Sequence, residues 1–181
     1  MDERILKLLE EVGGGTVTPQ EAYERLKDVP FEDLTHTKID HHRLMRKGIQ
    51  EIVFGEGKTT EQLIDIVRSM RAKDLDVLVT RITPEAGRSL CRTFPDGVHE
   101  GLARVFFIRK SEVIHGKGTV VVVSAGTSDM AVAEEAFITS TFLGNVTERL
   151  YDVGVAGIHR LLYHVEALRK ARVIIVCAGM E

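Results

Sequence analysis

Val120 to Asp129, VVVVSAGTSD, is the stretch that decides the fold. Four consecutive valines without polar alternation read as a parallel strand covered on both faces. The small and hydroxyl-bearing residues after them end the strand and open a helix. Downstream, MAVAEEAFITSTFLG (130–144) reads as that helix, Glu148 to Val155 as a strand with a polar start, GIHRLLYHVEALRKA (157–171) as a second helix, and VIIVCAG (173–179) as a second buried strand. This β-α-β-α-β order is the grammar of an open parallel sheet with helices on both faces. Three such strands ending at Glu181 would leave an unpaired apolar edge, so the expectation is a C-terminally incomplete α/β domain, or one completed by assembly.

Working outward, the HGKG stretch from His115 to Gly118 breaks the pattern, and a boundary at residues 112–118 separates this domain (116–181) from an N-terminal α+β region (1–115). The region starts with helices over residues 1–30. Ile5, Leu8, Leu9 and Val12 recur at helical spacing before Gly13-Gly14-Gly15, and Thr18, Pro19 and Glu21 then mark the cap, first position and early acid of a second helix closed by Pro30. Residues 31–39 read as irregular. Ile49, Ile52, Val53 and Phe54 read as a strand stopped by Gly55 and Gly57. Thr59 or Thr60 then caps a helix with Leu63, Ile66, Val67 and Met70 on one face. Val77–Thr80 is a strand, Thr83-Pro84 opens another helix, and Leu102–Ile108 is a further strand.

A net charge of -3 and a pI near 6.2 give no basic footprint for nucleic acid. No apolar run approaches the ~20 residues of a membrane span, and Cys91 and Cys177 read as free thiols of a reducing compartment, so a cytoplasmic protein is expected. The histidines His36, His41 and His42 lack zinc-spaced partners, and His159 and His164 are off the i,i+4 face of a helical metal pair, so no structural zinc is expected.

Ligands of open α/β sheets bind beyond the carboxyl ends of the strands, which directs attention to three places. Ser124-Ala125-Gly126-Thr127-Ser128-Asp129 leads into a helix and reads either as an anion cradle or as an ordinary turn capped by Ser128 or Asp129. Val155-Ala156-Gly157-Ile158-His159-Arg160 brings a bidentate phosphate ligand beside a histidine, or else is a surface His-Arg pair on a solvated helix start. Cys177-Ala178-Gly179-Met180-Glu181 offers a carboxylate, Glu181, as a base or orienting group, with Cys177 an inert core thiol. Elsewhere GEGKT (55–59) lacks the first glycine of a phosphate loop, since Ile52 stands there, yet Lys58 can still meet a phosphate as a point charge.

Four segments, DHHRLMRKGIQEIVFGEGKT (40–59), VVSAGTSDMAVAEEA (122–136), YDVGVAGIHRLL (151–162) and VIIVCAGME (173–181), together resemble the LarB family. These are the pyridinium-3,5-biscarboxylic acid mononucleotide synthases of nickel-pincer cofactor assembly, whose members have also been labelled circadian phase modifier or AIR carboxylase-related. The resemblance covers most of the chain from Asp40 onward. It implies that the C-terminal domain is a three-layer, flavodoxin-like unit similar to N5-carboxyaminoimidazole ribonucleotide mutase, whose Gly-Ser-x-Ser-Asp and Ser-Ala-His-Arg segments hold a ribose phosphate. Gly126-Thr127-Ser128-Asp129 and Ala156-Gly157, His159-Arg160 fall at comparable places, with Ala125 and Gly126 departing from Gly and Ser, and Gly157-Ile158 altering the approach to His159.

The implied reaction is carboxylation of the pyridinium ring of nicotinic acid adenine dinucleotide by CO2 or bicarbonate. Hydrolysis of its phosphoanhydride accompanies it and releases AMP, with Mg2+ assisting. The implied roles are Ser128 and Asp129 on the ribose-phosphate portion, Arg160 on phosphate, His159 orienting it or moving protons, and Glu181 beside the ring. The family's assembly is a homo-oligomer, an octamer. Its ring-bonding cysteine lies near the C-terminus and matches neither Cys91 nor Cys177, so the chain alone is expected to be inactive. Two other readings stay open, an aminoimidazole ribonucleotide carboxylase or mutase and a non-catalytic nucleotide sensor.

Overall fold

The computed structural model describes residues 3–26, 32–33, 38–39, 51–110 and 113–179. By internal contacts the chain divides into Met1–Glu51 and Ile52–Glu181. In the first unit, α1 (Glu3–Gly13) and α2 (Pro19–Leu26) pack through Leu8, Val17 and Ala22, with Val12 beside them. Leu9, although in helical register, stays 58% exposed. A reciprocal capping box fixes the start of α2: the Thr18 N–H donates to Glu21 Oε2 (2.9 Å) and the Glu21 N–H to Thr18 Oγ1 (3.2 Å). The stretch read as irregular holds a short antiparallel ladder, β1 (Glu32–Asp33) with β2 (Lys38–Ile39).

The second unit contains two sheets. The first comprises β3 (Val53–Phe54), β4 (Val77–Thr80), β5 (Val98–Glu100) and β6 (Val105–Ile108) in the order β3-β4-β6-β5, parallel between β3 and β4 and antiparallel elsewhere. Helix α3 (Thr60–Ala72) starts at the Thr59–Gln62 capping box and buries Leu63, Ile66, Val67 and Met70, the face its periodicity specifies. In α4 (Pro84–Thr93), Thr83 Oγ1 accepts from the Ala86 N–H and Pro84 takes the first turn. Val77, Leu78, Val79, Val105 and Phe106 are fully buried, each contributing about 1.5–3 kcal/mol of transfer free energy. The last strand is shorter than its sequence suggests. Leu102 lies in an exposed turn that Arg104 closes with φ +55°, and pairing begins at Val105.

The second sheet is wholly parallel: β7 (Thr119–Ser124), β8 (Val146–Leu150) and β9 (Val173–Cys177), in the order β8-β7-β9. Strand alternation separates its faces. Val120 and Val122 meet Ala133 of α5 (Met130–Phe142), while Val121 and Val123 meet Leu161 of α6 (Ile158–Tyr163) and Leu168 of α7 (Val165–Lys170). This is the expected α/β arrangement, a parallel sheet between two helical layers. Helix α5 has no polar face because its far side, Ile138 and Phe142, packs on Leu78 and Val105 of the first sheet and on Ala103 in the turn before β6.

Three local expectations need correction. The strand read over 148–155 lies at Val146–Leu150, and residues 151–157 form a loop ending in a 3-10 turn. The single helix of 157–171 is broken at His164 into α6 and α7. The strand VIIVC, expected to be buried, is an edge: Val173, Ile174 and Val176 are 49%, 45% and 63% exposed, because the described residues cover it fully on neither face. Among the described residues no helix is long and apolar enough to cross a membrane.

Candidate functional site

The order β8-β7-β9 places the reversal of connection direction between β7 and β9, so the crevice for a ligand opens between the loops that follow those strands. Backbone hydrogen bonds tie all three carboxyl-end loops together. The Ala125 N–H donates to the Cys177 carbonyl (3.1 Å), the Gly154 N–H to Ala125 (2.8 Å) and the Val153 N–H to Ser124 (3.1 Å). The completely buried Ser124 adds its hydroxyl, which accepts from the Asp152 N–H at 3.2 Å. Asp152 has φ +59°, a left-handed conformation that aspartate tolerates better than bulkier residues. The turn it makes directs the chain from β8 toward Gly157.

Arg160 is ion-paired with Asp152. Gly157 is buried, and a Cβ built on it would lie 2.6 Å from Arg160 Nε, so only glycine lets the guanidinium rest on the backbone. Arg160, Asp152, Tyr151, His159, Tyr163 and His164 line a cavity of about 420 Å3. Arg160 and Asp152 are 39% and 52% exposed, and pairs so solvated are worth ~0–1 kcal/mol, a small cost when an incoming phosphate takes the carboxylate's place.

In the loop after β7, Asp129 Oδ2 accepts from the Gly126 N–H at 3.0 Å, and its Oδ1 lies 3.4 Å from a Cβ position built on Gly179. Asp129 therefore bridges the loops after β7 and β9. Neither Ser128 nor Asp129 caps α5 through its side chain, and Thr127 and Ser128 present exposed hydroxyls at its start. A 3-10 turn, Thr127–Asp129, runs straight into α5, and the Met130 N–H donates to the Thr127 carbonyl.

Behind this loop, Arg149 grips Glu134 with two hydrogen bonds (2.8 and 3.1 Å) and lies 3.4 Å above the Phe137 ring. Burial, then the Glu134 carboxylate, pushes the Tyr151 phenol up to about 12, so it stays protonated through the physiological range. Burial, followed by Asp129 and Glu135, raises the Cys177 thiol, which keeps it in the unreactive protonated form.

Of the residues singled out from sequence, Gly126, Thr127, Ser128, Asp129 and Gly157 lie on the stitched loops, and His159 and Arg160 in the first turn of α6. Lys58 sits elsewhere, beyond β3, where its Nζ donates to the Phe54 carbonyl at 2.7 Å. Glu181, like His36, His41 and His42, lies outside the described residues. The sequence does not mark Ser124 as a tie or Asp152 as the partner of Arg160; a strand carried to Val155 takes in Asp152, although Asp-Val-Gly at 152–154 is a turn signal. Among the described residues no three His, Cys, Asp or Glu side chains come together as a metal cluster.

The family model described as the LarB/PurE-like N-terminal domain matches residues 31–110. An uncharacterized protein of Methanocaldococcus jannaschii is 30% identical over 190 residues, an alignment that takes in all of this chain and 74% of that protein. The relative covers the parallel sheet as well as the region matched by the family model. The chain accordingly belongs to the LarB family, a carboxylase/mutase-type enzyme family.

Proposed function

We propose that the chain handles nicotinic acid adenine dinucleotide, carboxylating its pyridinium ring and cleaving its phosphoanhydride to give pyridinium-3,5-biscarboxylic acid mononucleotide and AMP. In the first step a C–C bond to CO2 forms at C5 as the ring C–H proton departs; in the second, water adds across the P–O–P bridge. One observation carries the reading: a glycine-cushioned Arg160, held by a solvated pair with Asp152, follows a loop that the Gly154 N–H ties to Ala125, at the start of the Gly126–Asp129 loop.

In this reading Arg160 exchanges one edge of its Asp152 pairing for phosphate, and Gly157 keeps the guanidinium in place. Thr127 and Ser128 hydroxyls and the Gly126 loop take the ribose-phosphate portion, with Asp129 closing the loop. His159, exposed beside Arg160, orients the phosphate or moves a proton. Lys58 offers a second phosphate contact by leaving the Phe54 carbonyl, and Glu181 lies beside the ring. The donor set suits Mg2+ only as a substrate-borne ion, held mainly by the phosphates with one carboxylate such as Asp129 Oδ1. Bound there, Mg2+ would neutralise charge on the pyrophosphate. Assembly as a homo-oligomer and a cytoplasmic setting accompany this proposal.

The test is AMP release from nicotinic acid adenine dinucleotide with bicarbonate and magnesium. It compares this chain with a form extended by a C-terminal segment carrying the family's ring-bonding cysteine. Release by the extended form, lost in Arg160→Gln, is the expected result. No release by either form, or preferential stabilisation by aminoimidazole ribonucleotide over the dinucleotide in thermal shift, overturns the assignment.

A further inference from the structure

The cavity of about 420 Å3 holds more than the arginine that the proposed reaction uses. Arg160, Asp152, His159, Tyr163 and His164 line it together, beside the buried Val153. Arg160 and Tyr163 stand three positions apart on α6, and His159 and Tyr163 four, so their side chains are neighbours along the helix surface, about 5–6 Å apart at Cβ. The ribose of a mononucleotide can bridge such a spacing. Tyr163 is 84% exposed, and the His164 ring meets it edge to face, with 5.0 Å between centroids and 86° between planes. Asp152 is fixed through its backbone, since its N–H donates to the buried Ser124 hydroxyl at 3.2 Å. The guanidinium, the carboxylate and the phenol ring are thus all open to solvent within one cavity.

A phosphate site needs the arginine but not the aspartate. When a phosphate takes one edge of Arg160, the Asp152 carboxylate is left as a like charge beside it, so the ligand that suits the cavity best brings a cation of its own. A metal ion is poorly served there, because Asp152 is the one carboxylate among the described residues lining the cavity. An aromatic ring beside a carboxylate is instead the setting that holds an organic cation. We infer that Tyr163 and Asp152 form a subsite for a cationic heteroaromatic ring. Resting on the reading above, the cavity takes the pyridinium mononucleotide half of the dinucleotide, its phosphate on Arg160 and its ring over Tyr163. The ion pair of the free protein is exchanged for two with a ligand that carries both charges. Ring charge, rather than ring size, then sets specificity, and Tyr163 is a specificity-determining residue.

The experiment titrates the chain, in EDTA, with nicotinamide mononucleotide, with its reduced form, whose ring is uncharged, and with ribose 5-phosphate. The amide keeps the ring carboxylate out of the comparison. Wild type, Tyr163→Leu and Asp152→Asn are compared, with folding checked by circular dichroism; asparagine tolerates the left-handed backbone at position 152. Wild type should bind the charged ring at least fivefold more tightly than the reduced one. That preference should fall below twofold in both variants, while Tyr163→Leu binds ribose 5-phosphate within twofold of wild type. Equal binding of the two mononucleotides by wild type, a preference that either variant retains, loss of ribose 5-phosphate binding in Tyr163→Leu, or mononucleotide binding only on addition of magnesium overturns the ring subsite. AMP release by the extended form alongside any of these leaves the proposed reaction standing. A ring-charge preference lost in both variants, without AMP release by any form, sustains the subsite and removes the reaction.

Discussion

The two sheets of the Ile52–Glu181 unit use the same β-branched and aromatic alphabet to different ends. In the four-stranded sheet, Val77, Leu78, Val79, Val105 and Phe106 are sealed under α3, α4 and α5, and its helices start at strong caps. The three-stranded sheet has a sealed centre in Val121 and Val122 but an open edge in β9, and its loops are tied by cross-strand hydrogen bonds rather than by side-chain caps. The first is organised for packing. The second keeps hydroxyls, a carboxylate and a guanidinium at one end of the strands. The comparison teaches that the location of uncommitted polar groups, more than the strand sequences, marks where ligands are handled.

Breaking the packed side should have the largest effect. Phe106→Ala empties the centre of the four-stranded sheet and is expected to cost ~3–5 kcal/mol in urea unfolding, while Val176→Ala on the open edge stays within ~0.5 kcal/mol. Equal costs would erase the distinction. On the polar side, Arg160→Gln should weaken ribose 5-phosphate binding at least tenfold, equivalent to ~1.4 kcal/mol. Its unfolding free energy should move by less than ~1 kcal/mol, since the Asp152 pair is solvated.

A finer test uses pH. The Tyr151 phenol has a native value of about 12 against an ordinary 10.0, so the native state favours its protonated form. Its contribution is fully present below pH 10 and is lost as pH rises from 10 toward 12. The stability of wild type relative to Tyr151→Phe should therefore fall across that interval, measured by urea unfolding on either side of it, and a flat difference would remove the burial argument. The smallest effect concerns Cys177. With its thiol raised by burial, a Cys91→Ser variant should react with a thiol reagent at pH 8 more slowly than a small free thiol does, and reaction at the free-thiol rate would show the site to be open.

Much of this was legible in the sequence, wherever the signal was local. The caps at Thr18, Thr59 and Thr83 and the buried face of α3 follow from residues a few positions apart. The valines of β7 announced a central parallel strand because both of its faces are covered. What escaped depended on distant partners. The end of β8 could not be placed because Asp152 adopts its left-handed turn against Ser124, 28 positions earlier. The exposure of β9 was hidden because VIIVC has the same composition whether one neighbour or two lie beside it. The site loops were legible as small-residue runs after strands. The pairing of Arg160 with Asp152 and the packing of α5 on a different sheet were not.

The most direct test of the central claim, that the carboxyl end of the three-stranded sheet receives the nucleotide, is the affinity of the chain for nicotinic acid adenine dinucleotide. It is measured by calorimetry for wild type, Arg160→Gln and Arg88→Gln, the last altering an exposed arginine on α4 of the other sheet. The account predicts at least a tenfold loss in Arg160→Gln and none in Arg88→Gln; equal affinities in all three proteins would contradict it.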